Sequence, residues 1–264
     1  MGQRLGQHFL KNRAIARAIA RAVPLREGEC VLEIGPGRGV LTRELLALGA
    51  RVVAVEKDAA LVEYMRDVFA DDIASRRLTL IEDDIRNFDP ARCGLHAAGY
   101  TLAANIPYYI TGEILRRFLT AEAQPRAMTL LVQKEVARRI ATSAKESILS
   151  LSVKAYGTPR LVRTVGRGNF SPPPDVDSAI LTVTDISKAF FADVPDARFF
   201  DIVHAGFSSK RKLLASNLSH PNNIGFTKPN IIRVFEACGI PEKARAEDVP
   251  LEAWRCLARV ASSR

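Results

Sequence analysis

Between residues 30 and 133 the chain alternates short apolar runs with segments whose apolar positions recur at helical spacing. The runs 30–34, 51–55, 78–81, 100–104 and 128–132 predict strands, and the segments 40–48, 59–69 and 112–119 predict helices. Such alternation is the mark of a parallel sheet covered by helices, an α/β architecture. After residue 160 the pattern changes. The runs 161–165 and 179–183 predict two further strands, joined by a loop with Ser171-Pro172-Pro173-Pro174, that form a hairpin on the same sheet. Beyond residue 185 the signals are helical only, at 197–207, 210–218, 230–238 and from Leu251 onward. The expected division is an α/β domain over 1–185 and a small all-helical domain over 186–264, without repeats or low-complexity tracts.

With 264 residues and 47% hydrophobic content the chain can bury such a core. Its net charge of +9 speaks to partners and not to fold, and makes nucleic acid the leading candidate. The four cysteines, Cys30, Cys93, Cys238 and Cys256, have none of the paired spacings used for zinc or thiol redox work. They are expected to be reduced and structural, with no metal site. No stretch approaches the roughly 20 apolar residues that cross a bilayer, so a soluble cytoplasmic protein is expected. The Arg-rich, amphipathic start also suits an organelle import sequence, but residues 6–10 carry motif content and argue against cleavage there. A monomer is expected, because no long apolar stripe is left over.

The segment Glu33-Ile34-Gly35-Pro36-Gly37-Arg38-Gly39 lies between the first predicted strand and its helix. Glycines such as Gly35 and Gly37 let backbone approach a ligand closely at such a turn. Alone this is weak evidence. Glu56 ends the second strand about 20 residues on, where a carboxylate can accept from both ribose hydroxyls of a nucleotide-like ligand. Asp84 follows the third strand, where it can accept from an adenine amine. These positions would serve NAD equally. Glu33 separates the two, since an acid beside the turn repels a pyrophosphate but tolerates a cationic sulfonium, and S-adenosylmethionine fits better.

Asn105-Ile106-Pro107-Tyr108 follows the fourth strand and lies on the same carboxyl edge, where open α/β sheets bind ligands. The exocyclic amine of adenine is a poor nucleophile because its lone pair is delocalised into the ring. Acceptors that hold both amine hydrogens pull the nitrogen toward tetrahedral geometry. The Asn105 side-chain oxygen and the Ile106 carbonyl suit this task, with Pro107 fixing the carbonyl's direction and Tyr108 stacking on the base. No strong general base is needed before transfer, because the proton leaves once the nitrogen is cationic. A base inside folded nucleic acid has to be extruded, and Phe170 is placed to form the second face of its pocket. The candidate catalytic residues are thus Asn105, Pro107, Tyr108 and Phe170.

These residues resemble the ribosomal RNA adenine dimethyltransferases of the KsgA type over nearly the whole chain. Gly6-Gln7-His8-Phe9-Leu10 is similar to the family's opening signature, and 33–39, Glu56 and 105–108 to its cofactor turn, ribose acid and Asn-Leu/Ile-Pro-Tyr motif. Residues 133–136, 170–174 and 176–179 match later blocks, and 207–212 its C-terminal basic helix. The resemblance implies a class I, Rossmann-like methyltransferase fold that uses S-adenosyl-L-methionine. It also implies transfer of two methyl groups to each of two adjacent adenosines near the 3′ end of 16S rRNA, in an immature small-subunit particle during ribosome biogenesis. Carried over by position, it places His8, Leu10, Gly35, Glu56, Asp84 and Asn105 around the cofactor, and Asn105, Tyr108 and Phe170 around the target adenine. Two departures stand out. His8 occupies a position where the family most often has Asn, and Ala144-Lys145-Glu146-Ser147 replaces a common Tyr-Gly pair.

Three basic groups are candidates for RNA phosphates: Arg13, Arg17 and Arg21 on one helix face, Lys134 with Arg138 and Arg139, and Lys210-Arg211-Lys212. The nearest rival assignment is the related enzyme that methylates large-subunit (23S) rRNA and confers macrolide resistance. The triple proline, residues 176–179 and the Lys-Arg-Lys segment lean toward the small-subunit branch. A non-catalytic assembly factor, a mitochondrial transcription factor and a DNA adenine methyltransferase are more distant rivals. Intact Glu56, Asp84, Asn105 and Tyr108 argue for retained catalysis.

Overall fold

The computed structural model describes residues 8–219 and 226–262, so Gly6 and Gln7 of the opening motif lie outside the described residues. Five parallel strands build the first unit's sheet: β2 (Cys30–Ile34), β3 (Arg51–Glu56), β4 (Leu78–Glu82), β5 (Tyr100–Asn105) and β6 (Ala127–Gln133). Two antiparallel strands, β7 (Thr158–Val165) and β9 (Ser178–Thr184), extend it to seven in the order β4-β3-β2-β5-β6-β9-β7. Every residue of β2 is buried, as are five of six in β5 and six of seven in β6. Helices cover both faces of a parallel sheet, so its strands need no polar side.

The strand order reverses beside β2, whose two neighbours are β3 and β5. Register then fixes the site: Ile34 pairs with Val55 and with Ala104, so Gly35, Glu56 and Asn105 emerge together on one edge. Ligands bind open α/β sheets at such a reversal. The glycine turn leads into α2 (Val40–Ala47). Gly39, with φ of 71°, lies so close to α3 (Ala59–Val68) that a Cβ there would fall 2.7 Å from the Met65 sulfur and collide with the Phe69 ring.

Ahead of the sheet run β1 (Phe9–Leu10) and α1 (Arg13–Ala22), capped by Asn12, whose side chain accepts from the Ala14 amide. Ile15, Ala16, Ile19 and Ala20 form the helix's buried stripe. β1 pairs antiparallel with β8 (Phe170–Ser171), bringing Leu10 opposite Phe170. A two-residue strand carries too little pattern to be legible in sequence. Three helices also escaped the periodicity: α4 (Ala70–Ala74) and, after α5 (Thr111–Thr120) and β6, α6 (Lys134–Ala141) and α7 (Ile148–Tyr156).

The second unit comprises Arg139–Tyr156 and the chain from Ser187, while the first runs to Arg138 and from Gly157 to Ile186. The later crossing between the units falls after Ile186, and the excursion containing α7 (Ile148–Tyr156) groups with the helical unit. Leu151 and Ala155 of α7 join its core with Phe199, Leu214, Phe235 and Trp254. The divergent segment 144–147 leads into α7, where the Ser147 amide donates to Ser150 Oγ at 2.7 Å and Glu146 accepts from the Ser150 hydroxyl. The remaining helices are α8 (Asp196–Gly206), α9 (Leu214–Leu218), α10 (Lys228–Ala237) and α11 (Leu251–Ser262).

The structure corrects two expectations. Lys210-Arg211-Lys212 is not helical: the Asn217 amide donates to the carbonyls of Gly206 and Ser209, folding the segment into a turn, and helix resumes only at Leu214. Nor are all four cysteines reduced. Cys238 ends α10 and joins Cys256 of α11 in a disulfide with a Cα separation of 5.6 Å, while Cys30 and Cys93 are free. Helix packing makes that pair across 18 residues, so no short spacing announced it. Among the described residues no helix is long and apolar enough to cross a membrane.

Candidate active site

A cleft of about 960 Å³ opens on the carboxyl edge of β2, β3, β4 and β5, at the upper end of the roughly 300–1,000 Å³ typical of small-molecule sites. It has room for a cofactor and a base. Gly35 and Gly37 line it at φ of 62° and 58°, and the Phe9 ring lies over Gly37, 3.4 Å from where a Cβ would stand. Phe9 is therefore a lining residue that residue chemistry alone did not single out, although it sits inside the opening motif.

Glu56 is held by three backbone donors: Gly37 N at 3.1 Å on Oε2, and Lys57 N and Asp58 N at 2.9 and 3.0 Å on Oε1. This fixes the carboxylate in the cleft while leaving acceptor capacity for ligand hydroxyls. Glu33 is 1% exposed and its Oε2 has no hydrogen-bond partner, yet the residue borders the cleft. Burial pushes its carboxyl up to about 8, against the lowering influence of Thr42. A buried acid with one oxygen unpartnered gains from a cationic ligand, which favours its ionised form, and disfavours a pyrophosphate. S-adenosyl-L-methionine, with its ammonium and sulfonium, fits these residues, and Glu33, Gly35, Gly37 and Glu56 would hold it.

Between about 4.5 and 8 the unfolded chain has ionised Glu33 while the folded, ligand-free protein retains the proton, so stability falls as pH rises through this window. A cation bound beside Glu33 favours its ionised form, so cofactor affinity rises with pH up to about 8. Glu33→Gln is expected to flatten both dependences relative to the unmodified chain, as read by calorimetric titration and thermal melts across pH 6 to about 9. Parallel pH profiles for the two proteins would contradict this role.

Asp84 lies in the cleft but is not free to receive an adenine amine without exchange. Its Oδ1 accepts from the Arg86 backbone N–H and Nε, and its Oδ2 from Lys57 Nζ at 3.0 Å and Arg86 Nη2 at 2.6 Å. These partners, Arg86 foremost, hold its carboxyl well below the usual range. Neither cation was visible as a partner in the run of strand and turn residues.

Asn105 follows the last paired position of β2 with β5. Its Nδ2 donates to the His8 carbonyl at 3.4 Å, which turns the amide so that Oδ1 remains an acceptor. The Ile106 carbonyl makes no protein hydrogen bond among the described residues, and Pro107, at φ −56° and ψ 135°, sets its direction. The Tyr108 hydroxyl is anchored on Ser178 Oγ at 2.6 Å, and burial raises its pKa, keeping the ring neutral. His8 stacks loosely near Tyr108, ring centres 6.0 Å apart, with its Nδ1 on the Pro172 carbonyl at 2.9 Å. Leu10 and Phe170, paired across β1 and β8, complete the lining. Phe170 is 1% exposed, so it presents a fixed wall. The cleft thus gathers His8, Leu10, Glu33, Gly35, Gly37, Glu56, Asp84, Asn105, Pro107, Tyr108 and Phe170.

The basic groups are placed differently. Arg13 and Arg17 both bind the buried Glu44 of α2, through Nε at 2.5 and 3.0 Å. They are first of all a clamp between α1 and α2, contrary to a purely RNA-facing role, because Glu44 needs a counter-charge. Lys134 and Arg138 lie on α6, which begins where β6 ends. Lys210, Arg211 and Lys212 are exposed and make no ion pair among the described residues.

Sheet order, glycine turn and acidic strand ends together define a class I methyltransferase. A family model, ribosomal RNA adenine dimethylase, matches residues 2–260, and the chain belongs to that family. It is an enzyme that takes methyl groups from S-adenosyl-L-methionine and places them on adenine of ribosomal RNA. The chain is 40% identical over 257 residues to a protein of Dehalococcoides mccartyi named ribosomal RNA small subunit methyltransferase A, covering 97% of this chain and 87% of that one. A protein of the same name from Deinococcus radiodurans is also 40% identical, covering 96% and 83%. Among solved structures, the 23S rRNA methyltransferase ErmE aligns with TM-score 0.75 at 25% identity over 95% of this chain and 98% of its own. A dimethyladenosine transferase from Plasmodium falciparum aligns with TM-score 0.80 at 24% identity over 95% and 96%, which bears on the fold alone.

Proposed function

We propose that this chain dimethylates the exocyclic amines of two adjacent adenosines near the 3′ end of small-subunit rRNA, acting as a cytoplasmic monomer on an immature particle. The observation that carries the chemistry is the Asn105 amide, which lines the cleft and donates from Nδ2 to the His8 carbonyl, leaving its oxygen available as an acceptor. Together with the Ile106 carbonyl it accepts the two amine hydrogens of an extruded adenine, and Tyr108 and Phe170 hold the ring. The cofactor supplies the methyl group. The residues of the chain orient the amine nitrogen's lone pair and exclude water, while the proton is released only once the nitrogen has become cationic. Because the first product still carries one hydrogen for an acceptor to hold, the same pocket admits a second transfer.

The small-subunit assignment is supported by 40% identity to relatives named for that subunit, against 25% to the 23S enzyme. Incubation with labelled S-adenosylmethionine and small or large subunits lacking adenine methylation tests it directly. Label in adjacent adenosines of small-subunit RNA is the expected result; label confined to large-subunit RNA would transfer the chain to the 23S branch.

Phosphate contacts are proposed for Arg13, Arg17, Lys134, Arg138 and Lys210–Lys212. Replacing Lys210, Arg211 and Lys212 together by Ala should lower the slope of log affinity against log salt by about 2 to 3, since each phosphate contact contributes about 0.7–0.9. Unchanged slopes in filter-binding titrations would remove these residues from the interface. Arg13→Ala should also loosen α1 from α2, and so costs stability as well as affinity.

A further inference from the structure

Tyr109 is 74% exposed, well above other outward-facing large hydrophobic residues such as Val162 at 45% and Tyr64 at 44%, yet it lines the same cleft as Asn105 and Tyr108. It sits in the 3₁₀ turn Tyr108–Ile110, where successive side chains diverge by a third of a turn. Tyr108 is anchored inward on Ser178, so its neighbour points elsewhere, to the rim. An aromatic ring that packs against so little contributes little to the fold. Four cationic side chains, Lys11, Arg38, Lys57 and Arg86, border the same opening, beside the acidic Glu33, Glu56, Asp58, Asp83 and Asp84. Arg86 is fixed by Asp84 and borders the same cleft as Tyr109.

We infer that Tyr109, with Arg86 beside it, forms a second nucleotide subsite at the mouth of the cleft, a stacking platform for the base next to the one being methylated. The subsite rests on the adenine-methylating function proposed above and extends it to the flanking nucleotide. Extruding one adenosine strips its neighbour of a stacking partner. A ring at the rim replaces that partner, and a guanidinium held in place can meet the intervening phosphate. Stacking on aromatic side chains tolerates any base, so the platform serves whichever of two adjacent adenosines is outside the pocket.

The test compares the full-length protein with Tyr109→Ala, Tyr109→Phe and Tyr109→Trp on unmethylated small-subunit particles. Tyr109→Ala should raise KM for the particle about 10-fold or more, the effect of losing one stacked base, while cofactor affinity stays constant. Phe and Trp should restore KM, because stacking needs a ring and not a hydroxyl. As a second readout, 2-aminopurine in place of the flanking adenine of a substrate RNA should be quenched on binding the unmodified protein and not on binding Tyr109→Ala. Equal KM and equal quenching with and without the ring would overturn the subsite. An unmodified protein that methylates neither substrate would instead overturn the underlying function, and the subsite with it.

Discussion

Asn105→Ala is expected to reduce methyl transfer about 100- to 1,000-fold in kcat, the scale seen when one preorganised polar group is removed from a reacting centre. The side chain does two things in sequence. Its Nδ2 donates to the His8 carbonyl, which leaves Oδ1 as the available acceptor of a residue that lines the cleft. Alanine removes the acceptor for one amine hydrogen, and the adenine amine then keeps its planar, delocalised geometry. Cofactor affinity should change by no more than about tenfold, the worth of one neutral hydrogen bond. Single-turnover assays paired with calorimetric binding separate the two effects. A variant that binds cofactor weakly but transfers at the normal rate once saturated would relocate Asn105 from the amine to the cofactor.

Glu56→Ala should have the opposite signature, a loss of cofactor affinity of about 100-fold or more with kcat at saturation much less affected. Two charge-assisted bonds to ribose hydroxyls, each contributing about 1.5–3 kcal/mol, set that scale. Alanine also strands the N–H groups of Gly37, Lys57 and Asp58, which now converge on the carboxylate. Glu56→Gln should be nearly as damaging. Donors face both oxygens, so an amide nitrogen in either place meets an N–H instead of an acceptor. Binding within threefold of the unmodified protein in either variant would show that Glu56 organises the turn without touching the ligand.

The strands of the seven-stranded sheet were legible because each is a short apolar run bounded by turn residues, and the carboxyl-edge residues followed from knowing where those runs end. Gly35, Glu56 and Asn105 required only that β2, β3 and β5 be parallel and in register. Partners far apart in sequence were illegible. Glu44 lies 31 residues from Arg13, on a different helix, so the charge that claims Arg13 and Arg17 could not be read from their four-residue spacing. The same holds for the hold of Lys57 on Asp84, 27 residues apart, and for the disulfide of Cys238 with Cys256. At Lys210–Lys212 the apolar residues that follow suggested helix, but the buried Asn217 amide imposes a turn through two backbone carbonyls. That is a tertiary constraint overriding local propensity. Tyr109 belongs to a third kind: its identity was plain, but only its exposure at the cleft's rim gives it meaning.

The central claim is that one cleft holds the methyl donor on Glu33 and Glu56 and the adenine amine on Asn105 and Ile106. A crystal structure with a non-reactive analogue of S-adenosylmethionine and a short adenosine-containing RNA tests it most directly. The predicted result is an extruded adenine whose amine nitrogen lies within about 3 Å of both Asn105 Oδ1 and the Ile106 carbonyl, against Tyr108. An adenine bound with its amine on another acceptor, or a target base that stays stacked in the RNA outside the cleft, would contradict it.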